Sequence, residues 1–280
     1  GINGTRAMTA FNSKTGGFHL TTVGRVQTPT LAIMVEREEK IRAFKSRDYW
    51  ELEARFAAAG GEYSGRWFDE HFKKPEDDEH AAASRVWNLP RAEAIRARCE
   101  GQPGTVEEES KPSSQLSPLL FDLTSLQREA NGRFGFSART TLQLAQALYE
   151  KHKVLTYPRT DSRALPEDYV DQVKGILGGL PEAYAAFASE IIKQGWTRPN
   201  KRIFNNAKIS DHFAIIPTGT APKSLSEAEH KIYDMVTRRF LAVFYPAAEY
   251  LVTTRITRVA GEAFKTEGKV LVNAGWRAVY

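Results

Sequence analysis

Two stretches of strict alternation, far apart in the chain, limit the folds open to it. Trp50, Leu52, Ala54 and Phe56 alternate with Glu51, Glu53 and Arg55, the period-two pattern of a strand with one buried face. Gly60-Gly61 turns the chain into a second strand, Tyr63 to Trp67. The period returns at Glu249 with YLVTTRITRV, a turn at Gly261, AFKTEGKVLV, and GWRAVY as a last strand. Between these ends, apart from a short strand at Thr105 to Glu109, the apolar residues carry helical spacing. The arrangement predicts an α+β chain in which a helical segment interrupts one β-rich domain.

The helix signals are local. Thr5 to Phe11 reads as a helical piece, with a loop through Gly16 and Gly17 after it. Thr28 then caps and Pro29 takes the first position of a helix to about Ile41, whose apolar face is Leu31, Met34 and Val35. Pro90 to Cys99 is a short helix, and SKPSSQLSPLL after the Thr105 strand reads as an interdomain linker. Thr124 with Gln127 forms a capping box for a helix ending near Gly132, and Ser137 caps Ala138 to Lys151, with Leu142, Ala145 and Leu148 inward. Further helices run from Pro166 to about Leu177 and from Glu182 to Gln194. Ser226 with Glu229 caps the last, which reaches Phe244 through Ile232, Met235, Val236 and Phe240.

Chemistry concentrates at VLTYPRTDS, residues 154 to 162. Pro158 keeps Tyr157 out of helical backbone, so the phenol ends an element and faces a cleft. Arg159, two positions on, points to the same side of an extended backbone. A neighbouring cation favours phenolate and binds phosphate fork-on. These features suit a nucleophilic tyrosine for phosphodiester chemistry; a tyrosine at a strand end also serves as a half-buried anchor. Three further features point to a polyanion. Arg25, Gln27 and Thr28 gather at a helix start, where free amides hold phosphate and Gly24 permits close approach. Seven basic residues oppose three acids from Arg128 to Arg163, and KQGWTRPNKRIFNNAK at 193 to 208, which includes Lys201 and Arg202, interleaves five cations with Trp196 and Phe204. His212, in the apolar run HFAIIP, reads either as a core histidine or as a participant in the chemistry. The two helices around GRFGF leave a helix-turn-helix duplex binder as an alternative, and a tyrosine nickase or recombinase is another.

Composition narrows the class. The 280 residues carry 39 Lys and Arg against 34 Asp and Glu, a net charge of +5, which suits a polyanionic partner. That length buries a sizeable core in one large or two ordinary domains. Cys99 is the only cysteine, which excludes an internal disulfide or a cysteine-rich zinc site and suits a reducing cytoplasmic compartment. No apolar run reaches bilayer length and GINGTRAMTAF has no signal-peptide core, so no membrane association is expected. DEHFKKPEDDEH at 69 to 80 reads as a solvated charged loop.

YPRTDS at 157 to 162, VGRVQTPTLAIMVERE at 23 to 38, DHFAIIPTG at 211 to 219 and LTSLQREANGRFGFSARTTLQLAQALYE at 123 to 150 together resemble the type IA DNA topoisomerases, most similarly the topoisomerase III branch. The resemblance covers most of the chain, with the motifs in the family's order. It implies a multidomain clamp in which residues 1–40 belong to a DNA-binding gate domain, 41–117 and 248–280 form a β-rich hinge, and 118–247 form the helical domain carrying the active-site tyrosine. Tyr157 would attack single-stranded DNA to leave a 5′-phosphotyrosine, allowing strand passage and resealing without ATP. Arg159 would stabilise the phosphate charge and His212 would bond a non-bridging oxygen or relay a proton. Arg25, Gln27, Thr28, Asp161, Lys201 and Arg202 would serve DNA binding, with Asp161 expected to orient Arg159 or cap the next helix. The family also uses Mg2+ held by an acidic domain preceding the GRVQ segment. No residues here match its ligands, so the expectation is a central fragment, monomeric, without full activity alone.

Overall fold

The computed structural model describes residues 1–280. In chain order the elements are α1 (Ile2–Asn12), α2 (Gln27–Ala43), β1 (Glu53–Ala58), β2 (Gly61–Phe68), α3 (Leu89–Cys99), β3 (Gly104–Gln115), α4 (Leu123–Phe134), α5 (Ala138–Glu150), α6 (Val170–Gly178), α7 (Glu182–Lys193), α8 (Glu227–Phe244), β4 (Ala248–Val259) and β5 (Glu262–Asn273). The class is α+β. The five strands are hydrogen-bonded in the order β1-β2-β5-β4-β3, and β1 pairs antiparallel to β2 from Glu53 opposite Arg66 to Ala58 opposite Gly61.

The chain divides into two compact units, Gly1–Gly104 with Arg258–Phe264, and Thr105–Thr257 with Lys265–Tyr280. In the first, Trp67, Val86, Ala92, Ile95, Val259 and Phe264 form a small core, with Trp50, Leu52, Ala54 and Phe56 packed against it from the alternating stretch. Trp67 Nε1 donates to Glu262 at 2.8 Å, which satisfies the indole inside that core. In the second unit, a larger core unites α4 through α8 with the chain from Val154 to Leu165 and from Ala214 to Ile216. Helix α8 buries eleven residues, nine of them in this core.

Several sequence expectations change in the fold. SKPSSQ is not linker: Ser110 to Gln115 extend β3, an outer strand of the sheet, where Pro112 is tolerated because an edge leaves amides unpaired. GWRAVY is not a strand, since Gly275–Val279 form a 3-10 turn. Asn273 Oδ1 accepts from the Gly275 amide at 3.0 Å and closes the strand. Gly275, at φ +49, lies so close that a Cβ would meet the Ala247 oxygen at 2.3 Å. The cap of α4 is Asp122, not Thr124: Asp122 accepts from the Ser125 amide at 2.6 Å, and Ser125 returns the bond. The Pro166 helix begins only at Val170, after a turn. Helix α2 starts at Gln27 on Val26 without a side-chain cap; Thr28 Oγ1 instead accepts from the Gly24 amide at 3.3 Å. Its expected apolar face is exposed, Leu31 at 62% and Met34 at 65%.

Candidate active site

The tyrosine segment is positioned by α5 and by the chain around His212. Ser137 caps α5 by accepting from the Thr140 amide at 3.0 Å, and the helix buries Thr141, Ala145 and Leu148. After α5 the backbone reverses at Lys153, whose φ is +58. Val154 and Leu155 then enter the core with no exposed surface to speak of. They do not form a regular strand; Leu155 makes an isolated antiparallel bridge to Pro217. Thr156 secures the pairing from both sides. Its amide donates to Ile216 O at 2.9 Å, its hydroxyl donates to Ala214 O at 3.0 Å, and the Ile216 amide donates back to that hydroxyl at 2.9 Å.

This pairing carries His212 to Tyr157. The two rings have centroids 4.4 Å apart at an interplanar angle of 47°, and Thr160 Oγ1 donates to the His212 carbonyl at 2.8 Å. Tyr157 is half-buried, while Arg159 and His212 are exposed. On its other side Tyr157 meets the ring of Tyr149 edge-on at 5.4 Å. Arg159 Nη2 donates to Gln146 Oε1 at 3.3 Å. Tyr149 and Gln146 stand three residues apart on α5, which places them on one helix face. The phenol and the guanidinium therefore lean on the same face of the same helix. Gly219 closes the segment at φ +83: a Cβ there would meet Ile176 Cα at 3.0 Å, so its lack of a side chain lets the run after His212 pack on α6.

The remaining residues singled out by sequence sit elsewhere. Asp161 neither orients Arg159 nor caps a helix; its Oδ1 accepts from Ser210 Oγ at 3.2 Å and so ties the turn to the loop leading into His212. Lys201 pairs with Glu167 at 2.6 Å, an interaction that holds the Glu167 carboxyl below its usual range. Arg202 donates to the Ser117 carbonyl, and burial pushes its pKa down. That guanidinium is partly buried and bonded to Ser117. Phe204 is 2% exposed and Trp196 packs on the core, against Tyr245 at 4.8 Å. The aromatics of this basic stretch face inward because they complete the hydrophobic core, and Phe204 offers no face to a base. Arg25, Gln27 and Thr28 are exposed in the first unit.

Sequence reasoning passed over Gln146, Tyr149 and Thr156. The helical period held the signal for the first two, since α5 runs almost directly into Tyr157. Thr156 became legible only when its partner, the chain from Ala214 to Ile216, was known.

The second unit thus carries a half-buried phenol beside an imidazole, with an exposed guanidinium two residues further along the chain. The chain belongs to the DNA topoisomerase family, and within it to the type IA, topoisomerase III-like members: the family model described as DNA topoisomerase matches residues 1–280. It is 41% identical to DNA topoisomerase 3 of Bacillus licheniformis over 285 residues, which include all of this chain and 36% of the relative. It is 42% identical to DNA topoisomerase 3 of Bacillus subtilis with the same coverage. The chain thus spans about a third of the length of these relatives. Its fold is similar to that of full-length topoisomerase I from Thermotoga maritima, with a TM-score of 0.62 at 22% identity over 93% of this chain and 40% of that one.

Proposed function

We propose that this chain carries the strand-cleaving tyrosine of a type IA topoisomerase. Tyr157 Oη attacks a backbone phosphorus of single-stranded DNA, the P–O3′ bond breaks, and the phenolic proton is lost as the 3′ oxygen leaves as a hydroxyl. The protein is left joined to the 5′ phosphate. Reversal reseals the strand with no energy input, because the phosphotyrosine keeps the ester bond. Arg159 supplies positive charge to the phosphate as it becomes five-coordinate. His212 hydrogen-bonds a non-bridging oxygen or moves the proton. The observation that carries the reading is the contact of the Tyr157 ring with His212, more than fifty residues away in sequence, while Arg159 is held by Gln146 on the helix that also supports the phenol.

Arg25, Gln27 and Thr28 would engage the strand at the start of α2, with residues 1–40 acting in the gate, the strands as hinge and residues 118–247 as the tyrosine-bearing domain. Magnesium is the metal the family reading implies. No group of three or more His, Cys, Asp or Glu residues here could hold one, and Asp69 and Asp78 of the charged loop are paired with Arg91 and Arg47. These residues do not fit the ion, and no step above passes through it. No helix is long and apolar enough to cross a membrane; we place the activity in the cytoplasm, on a monomer.

The test is a chimera in which this chain replaces its counterpart in the Bacillus subtilis relative. With a 3′-labelled single strand the label is expected to become attached to protein, with a 5′-labelled strand it is not, and Tyr157→Phe abolishes the adduct while strand binding persists. An adduct that survives Tyr157→Phe, or one that holds the 5′ label, overturns the reading.

A further inference from the structure

The surroundings of Arg159 are notable for what holds it. Its hydrogen-bond partner is the amide oxygen of Gln146, 3.3 Å from Nη2, and no carboxylate lies within ion-pair distance of it. Two carboxylates stand close by in the chain and in space, yet each is held by a neutral side chain. Glu150 Oε1 accepts from Gln146 Nε2 at 2.9 Å. Asp161 Oδ1 accepts from Ser210 Oγ at 3.2 Å.

The orientation of the Gln146 amide follows from its neighbours. A guanidinium can only donate, so the atom facing Arg159 must be oxygen; an ionised carboxylate can only accept, so the atom facing Glu150 must be nitrogen. Gln146 and Glu150 are one helical turn apart, the spacing at which side chains on a helix meet. Glu150 therefore locks the amide, and the amide locks the arginine. A carboxylate at position 146 could make the same contact, and more strongly. It would also neutralise the charge that a phosphate must find.

We propose that Gln146, locked by Glu150, is a positioning residue that fixes the Arg159 guanidinium without discharging it, so that its remaining N–H groups and its full positive charge stay available to a DNA phosphate. The proposal rests on the functional reading above. It assigns α5 a second duty beyond packing: the face that supports the Tyr157 ring through Tyr149 also aims the arginine.

The distinguishing experiment measures binding of a single-stranded oligonucleotide to the 280-residue chain over a range of salt, with thermal unfolding checked for each variant. Arg159→Ala is expected to make the log–log salt slope shallower by about 0.7, one phosphate contact on a single strand. Gln146→Glu is expected to reproduce that loss although the arginine is still present. Gln143→Glu, the same charge one turn earlier on an exposed position, leaves the slope as in the parent. Nitrogen relaxation of the Arg159 side chain without DNA gives the second readout. Order falls in Gln146→Ala and Glu150→Ala and is kept in Glu150→Gln, which retains an acceptor for the amide. If the parent binds but Gln146→Glu matches it in slope, or if Arg159 stays ordered in Gln146→Ala, the inference is overturned alone. A parent chain that fails to bind the oligonucleotide overturns the functional reading, and this inference with it.

Discussion

Helices α2 and α8 are nearly equal in length, 17 and 18 residues, and meet opposite fates. Helix α8 opens with a capping box, Ser226 accepting from the Glu229 amide at 3.3 Å and Glu229 accepting from the Ser226 amide at 2.8 Å, and buries eleven residues. Helix α2 opens on Val26 with no side-chain cap and buries none. Both contain enough apolar residues for a core face. What separates them is the arrangement: in α8 the apolar residues gather on one side, whereas in α2 they are spread around the helix, and the contrast teaches that apolar content without a coherent face does not build a core. The two candidate DNA-contact regions inherit the difference. Tyr157 stands on the core that α8 anchors, whereas Arg25, Gln27 and Thr28 stand at the start of the unburied helix.

Core truncation probes the contrast most strongly. Phe240 is fully buried in α8, and Phe240→Ala is expected to cost about 3–5 kcal/mol in urea unfolding. Met34→Ala in α2 should stay within about 0.5 kcal/mol. Equal losses would erase the distinction. Cap removal gives a smaller effect of the same kind. Ser226→Ala should destabilise by about 1 kcal/mol, while Thr28→Ala, which removes no helix cap, should change stability by less than about 0.5 kcal/mol.

The smallest effect is in pH dependence. The Glu229 carboxyl titrates below its ordinary value of 4.5 because the Ser226 amide bond, helped by the Ser226 hydroxyl and His152, outweighs burial. A carboxyl whose folded pKa lies below its unfolded one stabilises the fold fully above the unfolded value and loses that contribution as pH falls through the folded value. Stability measured by urea midpoint should therefore drop below pH 4.5, and Glu229→Gln should flatten part of that drop. An unchanged acid limb in the variant would mean that the α8 cap draws nothing from its charge.

Much of the molecule could be read from residue order. The alternation at Trp50 to Phe56 located the first strand and its buried face, Ser137 and Ser226 marked their helices correctly, and the order of YPRTDS and DHFAIIPTG pointed to one site. The misreadings share a cause. Thr124, Thr28 and the SKPSSQ stretch were judged by local chemistry, and each was overruled by something distant or merely adjacent that competed better: Asp122 for the cap, the Gly24 amide for the threonine hydroxyl, the sheet edge for the supposed linker. Phe204 shows the same away from the site, since a basic aromatic stretch looks alike whether its rings face a nucleic acid or a core.

By itself the sequence determined the element types, most of their ends, and which phenol, guanidinium and imidazole were worth watching, because caps, periods and turn residues act over a few positions of chain. Only the tertiary structure decided that His212 reaches Tyr157 and that Thr156 pairs with the chain from Ala214 to Ile216. Those outcomes depend on which distant surfaces meet, and a contact between segments more than fifty residues apart leaves no periodic trace in either of them.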